Sequence, residues 1–107
     1  MTDLNRAASS IAAEDNFSEW IYVDSDELVT LSIDGTWVAT VTVQYALNRD
    51  YESNAGTPSN PLDLETKTEN GRWDWPGGGD WWRFGVASGD FTSGTVVGTI
   101  QGKRSER

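Results

Sequence analysis

The clearest pattern in the chain is an alternation of apolar and polar residues with a period of two. It is sharpest where Val29, Leu31 and Ile33 alternate with Thr30 and Ser32. Because successive side chains of a strand point to opposite faces, this alternation predicts a strand with one buried side. Comparable short strands are predicted at four further places: 20–23, 62–67, 82–86 and 95–101.

Residues typical of tight turns separate these strands. Asp34-Gly35 directly follows the strand of alternating residues, and this dipeptide favours the type I′ turn of a β-hairpin. The partner strand of that hairpin is predicted to run from Trp37 to Tyr45. Ser88-Gly89-Asp90 predicts another turn before the last strand, and Gly94 is placed where a bulge needs a positive φ.

The spacing of about six or seven short strands predicts an all-β fold, an antiparallel β-sandwich resembling a jelly roll. At 107 residues the chain is the size of one domain. The predicted sandwich spans residues 17–102, and residues 103–107 form a basic tail. Residues 1–16 are predicted to be an N-terminal arm, either extended or a short helix that orders against a neighbour. Leu4 and Ile11 are its large apolar side chains and its candidate contacts.

A tryptophan- and glycine-rich segment at 72–80 is predicted to be a loop with exposed aromatic side chains. Three interpretations of Trp73 and Trp75 compete: packing on the domain's own sheet edge, docking on a protein neighbour, and stacking against a sugar. The alternation of the following strand places Trp82 in the core. It places Trp81 and Arg83 together on the opposite face, which makes both candidates for partner binding.

Composition argues against catalysis. The chain has no cysteine and no histidine, which excludes thiolate nucleophiles, Cys/His zinc sites and imidazole acid–base chemistry. Carboxylates cluster at 24–27 and around the glycine run, but they lack the spacing of a calcium loop. We therefore expect a non-enzymatic protein with no catalytic residues, no metal site and no cofactor.

Charge narrows the choice of partners. The net charge is −9, and such a field repels phosphate backbones and anionic lipid, so neither nucleic acid nor membrane is an expected partner. The segment from Met1 to Arg6 lacks the basic start and apolar run of a signal peptide, and no apolar stretch is long enough to span a bilayer. These features favour a protein made in a cytoplasm.

Three segments together carry a resemblance to a known class of proteins. They are Phe17-Ser-Glu-Trp-Ile21, then Leu31-Ser-Ile-Asp-Gly-Thr-Trp-Val-Ala-Thr-Val-Thr-Val-Gln-Tyr45, and finally Trp82-Arg-Phe-Gly-Val-Ala-Ser-Gly-Asp-Phe-Thr-Ser-Gly-Thr-Val96. In this order they resemble the strands of small β-sandwich virion proteins of tailed bacteriophages. The resemblance covers about two thirds of the chain.

The resemblance implies a structural protein of the virion, made in the host cytoplasm. It implies a capsid decoration (cement) protein that binds the major capsid protein or other virion proteins, as a homo-oligomer that is a trimer by analogy. The alternatives are a tail or baseplate accessory of the same fold and a small carbohydrate-binding module that uses Trp73, Trp75 and Trp81 as a stacking platform. The predicted partner-binding residues are Leu4, Ile11, Trp73, Trp75, Trp81 and Arg83.

Overall fold

The computed structural model describes residues 6–47 and 61–104, and for Arg104 the backbone alone. The described residues form nine strands and no helix, which confirms the predicted all-β fold. The strands are β1 (Arg6–Ile11), β2 (Asn16–Phe17), β3 (Ile21–Val23), β4 (Glu27–Ala39), β5 (Val41–Ala46), β6 (Leu62–Lys67), β7 (Gly71–Pro76), β8 (Asp80–Val86) and β9 (Phe91–Arg104).

The strands make two antiparallel sheets that pack face to face. Sheet A has the order β1-β9-β4-β7. In sheet B, β5 lies between β6 and β8, and both β2 and β3 pair with the far side of β8. The inner faces meet in one apolar core made of Ile11, Ile21, Val23, Val29, Leu31, Ile33, Val41, Val43, Trp82, Phe84, Val86, Val96 and Ile100.

One long antiparallel ribbon runs through both sheets. In sheet B its two strands are β5 and β8, and in sheet A they are β4 and β9. Both strands cross between the sheets at the same corner, where the Thr40 N–H donates a 2.8 Å hydrogen bond to the Asp90 carbonyl. The predicted turn at 88–90 lies at this corner, since the Asp90 N–H donates to the Ala87 carbonyl at 3.1 Å.

The predicted hairpin at Asp34-Gly35 is wrong. Strand β4 continues through this dipeptide, and Asp34 and Gly35 lie opposite Val97 and Val96 of β9. Gly35 has a φ of +99°, which L side chains rarely adopt, yet it keeps its register in the strand pair. Pairing along the whole of β9 supplies more backbone hydrogen bonds than a two-residue turn could, and this long-range pairing overrides the local turn preference.

A second glycine and an asparagine accompany Gly35. Gly94 of β9 has a φ of +89°, and a Cβ there would collide with the Thr36 carbonyl, so the two strands approach closely. The Asn70 side chain donates to the Gly35 carbonyl at 2.9 Å and accepts from the Trp37 indole N–H at 2.7 Å. The positive φ predicted at Gly94 is confirmed, but the irregularity in the pairing lies nearer the corner, between Val38 and Ala39.

The N-terminal segment is part of the sandwich. Residues 6–11 form β1, which pairs with β9 in regular register from Arg6↔Gln101 to Ile11↔Val96. In the described part of this segment, a strand therefore replaces the predicted arm or helix. The small side chains alternate as in any half-buried strand, with Ala7 and Ser9 facing inward and Ala8 exposed. Leu4 lies outside the described residues.

The segment predicted to be a loop is also a strand. Residues 71–76 form β7, and the reversal of the chain is confined to 77–79, where Gly78 and Gly79 have φ values of +71° and +72°. Pro76 is tolerated because it ends an edge strand.

The predicted basic tail also begins later than residue 103, because Lys103 and Arg104 still pair with β4. The count of nine strands exceeds the predicted six or seven mainly through β1, β2 and β7.

Candidate interaction surface

Trp73 and Trp75 face the interior of the sandwich. They lie opposite the buried Leu31 and Val29 of β4, so alternation turns both rings inward from the edge of sheet A. The ring of Trp75 stacks on that of Trp82, with centroids 6.2 Å apart and planes 22° apart. Of the three interpretations of these tryptophans, the structure therefore shows packing on the domain's own core.

Trp82 is the centre of this inner aromatic group. It is 4% exposed, as the alternation predicted, and its indole N–H donates to the Gly77 carbonyl at 3.0 Å. Its ring also lies 5.6 Å from that of Tyr45 on the neighbouring strand. A buried indole is stable only when its N–H has a partner, and the turn after β7 supplies it.

A lysine closes the side of the sandwich next to these rings. Lys67, at the end of β6, places its Nζ 4.6 Å from the centroid of Trp73 and 5.8 Å from that of Trp75. Its ammonium also forms a 2.7 Å ion pair with Glu65. Hydrogen bonds from Lys67 and then from Trp75 lower the pKa of the Glu65 carboxyl. The edge strands of the two sheets are thus tied together by a paired cation.

Trp81 and Arg83 lie on the opposite side of sheet B, as predicted, and both are half-buried. The Trp81 ring packs against Tyr22 of β3, with centroids 5.3 Å apart. The Arg83 guanidinium lies between two rings, 4.2 Å from Phe17 and 4.5 Å from Trp20. We call these five residues the aromatic–arginine face.

A chain of polar side chains orients the arginine. The Arg83 Nε–H donates to the Gln44 side-chain oxygen at 2.8 Å, and the Gln44 amide donates to the Asp63 carboxylate at 2.8 Å. Partial burial lowers the pKa of Arg83, yet a guanidinium stays charged at neutral pH. The Gln44 amide thus links the Arg83 guanidinium to the Asp63 carboxylate.

The outer face of sheet A is polar and comparatively basic. Arg6 and Arg72 lie on either side of an open depression of about 260 Å³, whose other lining residues are Thr30, Ser32, Thr99 and Gln101. The Thr30 hydroxyl beneath it donates to the Asp74 carboxylate at 2.7 Å. Lys103 projects from the same side, since its neighbour Gly102 faces Val23 of the core.

The larger depression of about 390 Å³ lies at the corner where the ribbon crosses between sheets. It is open, and its lining includes Trp37, Thr40 and Asp90.

The acidic residues predicted to cluster at 24–27 form a turn. There the Glu27 carboxylate accepts a hydrogen bond from the Asp24 N–H at 3.1 Å, so it stabilises the turn. Within residues 6–47 and 61–103, no three acidic side chains converge as a metal site would require.

The predicted partner-binding residues thus separate into distinct environments. Ile11 is fully buried in the core, and Trp73 and Trp75 are partly buried against the core cluster. The three tryptophans of the proposed sugar platform do not share a face, because Trp81 points away from the other two. Trp81 and Arg83 lie at the surface, half-buried. Their aromatic neighbours there are Phe17, Trp20 and Tyr22, which were not among the predicted partner-binding residues.

No family model, no curated protein and no solved structure matches this chain. The resemblance to virion proteins therefore rests on the sequence motifs alone. In the part of the chain that the structure describes, no helix is long and apolar enough to cross a membrane.

Proposed function

We propose that this protein is a non-enzymatic structural component of a virion, and that it docks on a capsid lattice through the aromatic–arginine face. One observation carries the binding role: Trp81, Arg83 and three further aromatic side chains are gathered on one outer face. Tryptophan, tyrosine and arginine are the residues most enriched at the energetic centres of protein interfaces. The sequence resemblance supports a virion as the partner.

The state of Arg83 supports this choice of face. A half-buried guanidinium held by two rings has lost much of its conformational freedom before any partner arrives. Its hydrogen bond to Gln44 uses the Nε–H, one of five N–H donors, and a guanidinium can donate to a carboxylate through its terminal N–H groups. The expected contact on the capsid is therefore an acidic side chain beside an apolar pocket that receives the Trp81 ring.

The test is binding of the purified protein to capsids that lack it. We expect Trp81→Ala and Arg83→Ala each to weaken binding at least about tenfold, as hot-spot truncations do. The matched control is Arg72→Ala, which removes the same charge from the outer face of sheet A and should leave binding unchanged. Equal losses at Arg72 and Arg83 would contradict the proposal, because they would indicate charge attraction without a defined face.

Two other results would redirect the proposal. Binding to isolated tails in place of capsids would assign the protein to the tail or baseplate. Saturable quenching of the tryptophan emission by oligosaccharides, lost in Trp81→Ala, would instead indicate a carbohydrate-binding module. In both cases the aromatic–arginine face would keep its binding role, and its partner would change.

A further inference from the structure

Exposed sheet edges carry unpaired N–H and C=O groups, and proteins usually obstruct them. The edges formed by β6 and β7 are obstructed in several ways. The pairing of β5 with β6 shifts register after Val43, Glu65 and Lys67 of β6 point inward, and β7 ends in Pro76. Inward charges, bulges and proline are the recognised devices against pairing with another chain.

The outer edge beside β8 is obstructed by irregularity. Strands β2 and β3 are two and three residues long, and residues 18–20 between them are not in a strand. There the Ser18 hydroxyl accepts the hydrogen bond of the Phe84 N–H at 3.2 Å, in place of a main-chain carbonyl. An incoming strand would find no continuous ladder along this edge.

Strand β1 differs from these edges. It is six residues long, keeps one register along β9, and contains neither proline nor glycine. After Arg6 its residues are uncharged, and four of them are alanine or serine. No described strand pairs with its outer side. We propose that β1 pairs with β1 of a second copy of this chain, which joins two A sheets into one of eight strands.

Self-pairing is favoured by the symmetry and charge of this strand. Residues directly opposite in an antiparallel pair must share a face, so a two-fold axis has to pass through Ala8 or through Ser9. Either register brings the Arg6 end of one strand towards the other copy's Ile11 end, which Glu14 and Asp15 follow.

This inference does not depend on the proposed function. Its test is light scattering coupled to size-exclusion chromatography, with the full chain at concentrations up to about 1 mM, a range suited to weak interfaces. We expect a dimer of twice the 11.8 kDa chain mass. A monomer throughout that range, or the trimer implied by the phage resemblance, would overturn the proposal.

Substitutions at exposed positions of β1 test which surface is used. The double variant Ala8→Lys/Ser10→Lys places lysine opposite lysine in either register, and like charges directly opposite are destabilising. We expect its dimer dissociation constant to rise at least tenfold. Thr36→Lys/Ser93→Lys adds the same charge at exposed sites of sheet A that are not on β1, and it should dimerise as the parent does.

Mixing two variants separates strand pairing from a general effect of charge. Ala8→Glu/Ser10→Glu should form a heterodimer with the lysine variant, because opposite charges then face each other across the axis. Unchanged far-UV circular dichroism should show that both variants fold. Failure of this pair to associate, or dissociation by the Thr36→Lys/Ser93→Lys control as well, would place the contact elsewhere and contradict the inference.

Discussion

Lys67 and Arg83 each lie over two aromatic rings, one cluster inside the sandwich and the other on its outer face. Lys67 covers Trp73 and Trp75, and its charge is met by Glu65 at 2.7 Å. Arg83 lies between two rings as well, but its direct polar partner is an uncharged amide. The same interaction therefore has two uses. Lys67 joins the edges of the two sheets, whereas Arg83 lies on the outer face that we propose as the binding surface.

The largest expected effect separates two adjacent tryptophans. Trp82→Ala should lower the free energy of unfolding by about 3–5 kcal/mol, because it empties a buried site and leaves the Gly77 carbonyl without its indole donor. Trp81→Ala, on the half-buried outer face, should lower it by less than about 1.5 kcal/mol. Urea unfolding of both variants measures the difference. Similar losses would show that the outer ring is also part of the core.

An intermediate effect is expected at Lys67. Lys67→Met keeps much of the packing but removes the cation from two rings, which should lower stability by about 1 kcal/mol at pH 7. The folded pKa of Glu65 is lowered, so its contribution is present above the unfolded pKa and is lost as pH falls through the folded pKa. The part of this difference that comes from the Glu65 ion pair should therefore be lost in acid, whereas the part that comes from the two rings should persist, because lysine stays charged. A difference that does not change with pH would show that the Glu65 pair contributes nothing to it.

The smallest expected effect on stability is at Arg83. Arg83→Lys should change the free energy of unfolding by less than about 1 kcal/mol, because the replacement keeps the charge on a half-buried site. Capsid binding should nevertheless fall severalfold, since an ammonium lacks the flat guanidinium that stacks on rings and binds a carboxylate through two donors. Measuring both quantities on one variant sharpens the contrast with Lys67, whose loss should affect stability more than binding.

The orientation of a side chain is predictable from sequence where the alternation within its own strand sets it. Trp82 shares its buried face with Phe84 and Val86, and Trp81 and Arg83 lie on the other side, as the alternation predicts. The prediction is wrong where pairing with a distant strand sets the backbone conformation. Asp34-Gly35 has the composition of a turn, but its conformation is set by β9, which is more than fifty residues away in sequence.

The same limit explains the rest of the candidate surface. The loop predicted at 72–80 rests on the density of tryptophan and glycine there, although the alternation of residues 71–76 agrees with a strand. Phe17 and Trp20 could not be assigned to Arg83 from sequence, because they come from the other side of β8 and meet it only after β2 and β3 have paired. Local pattern sets which way a side chain points, and topology sets what it meets.

The folded ribbon also has a consequence for the order of folding events. The paired residues of its two strands are closest in sequence at Ala46↔Trp81 and farthest apart at Glu27↔Arg104. Because loop-closure entropy grows with chain length, pairing is expected to nucleate between β5 and β8 and then to zip through the corner into sheet A. Val43→Ala should therefore slow refolding, whereas Val29→Ala should mainly accelerate unfolding. Stopped-flow kinetics of the two variants would reveal the direction in which the ribbon closes.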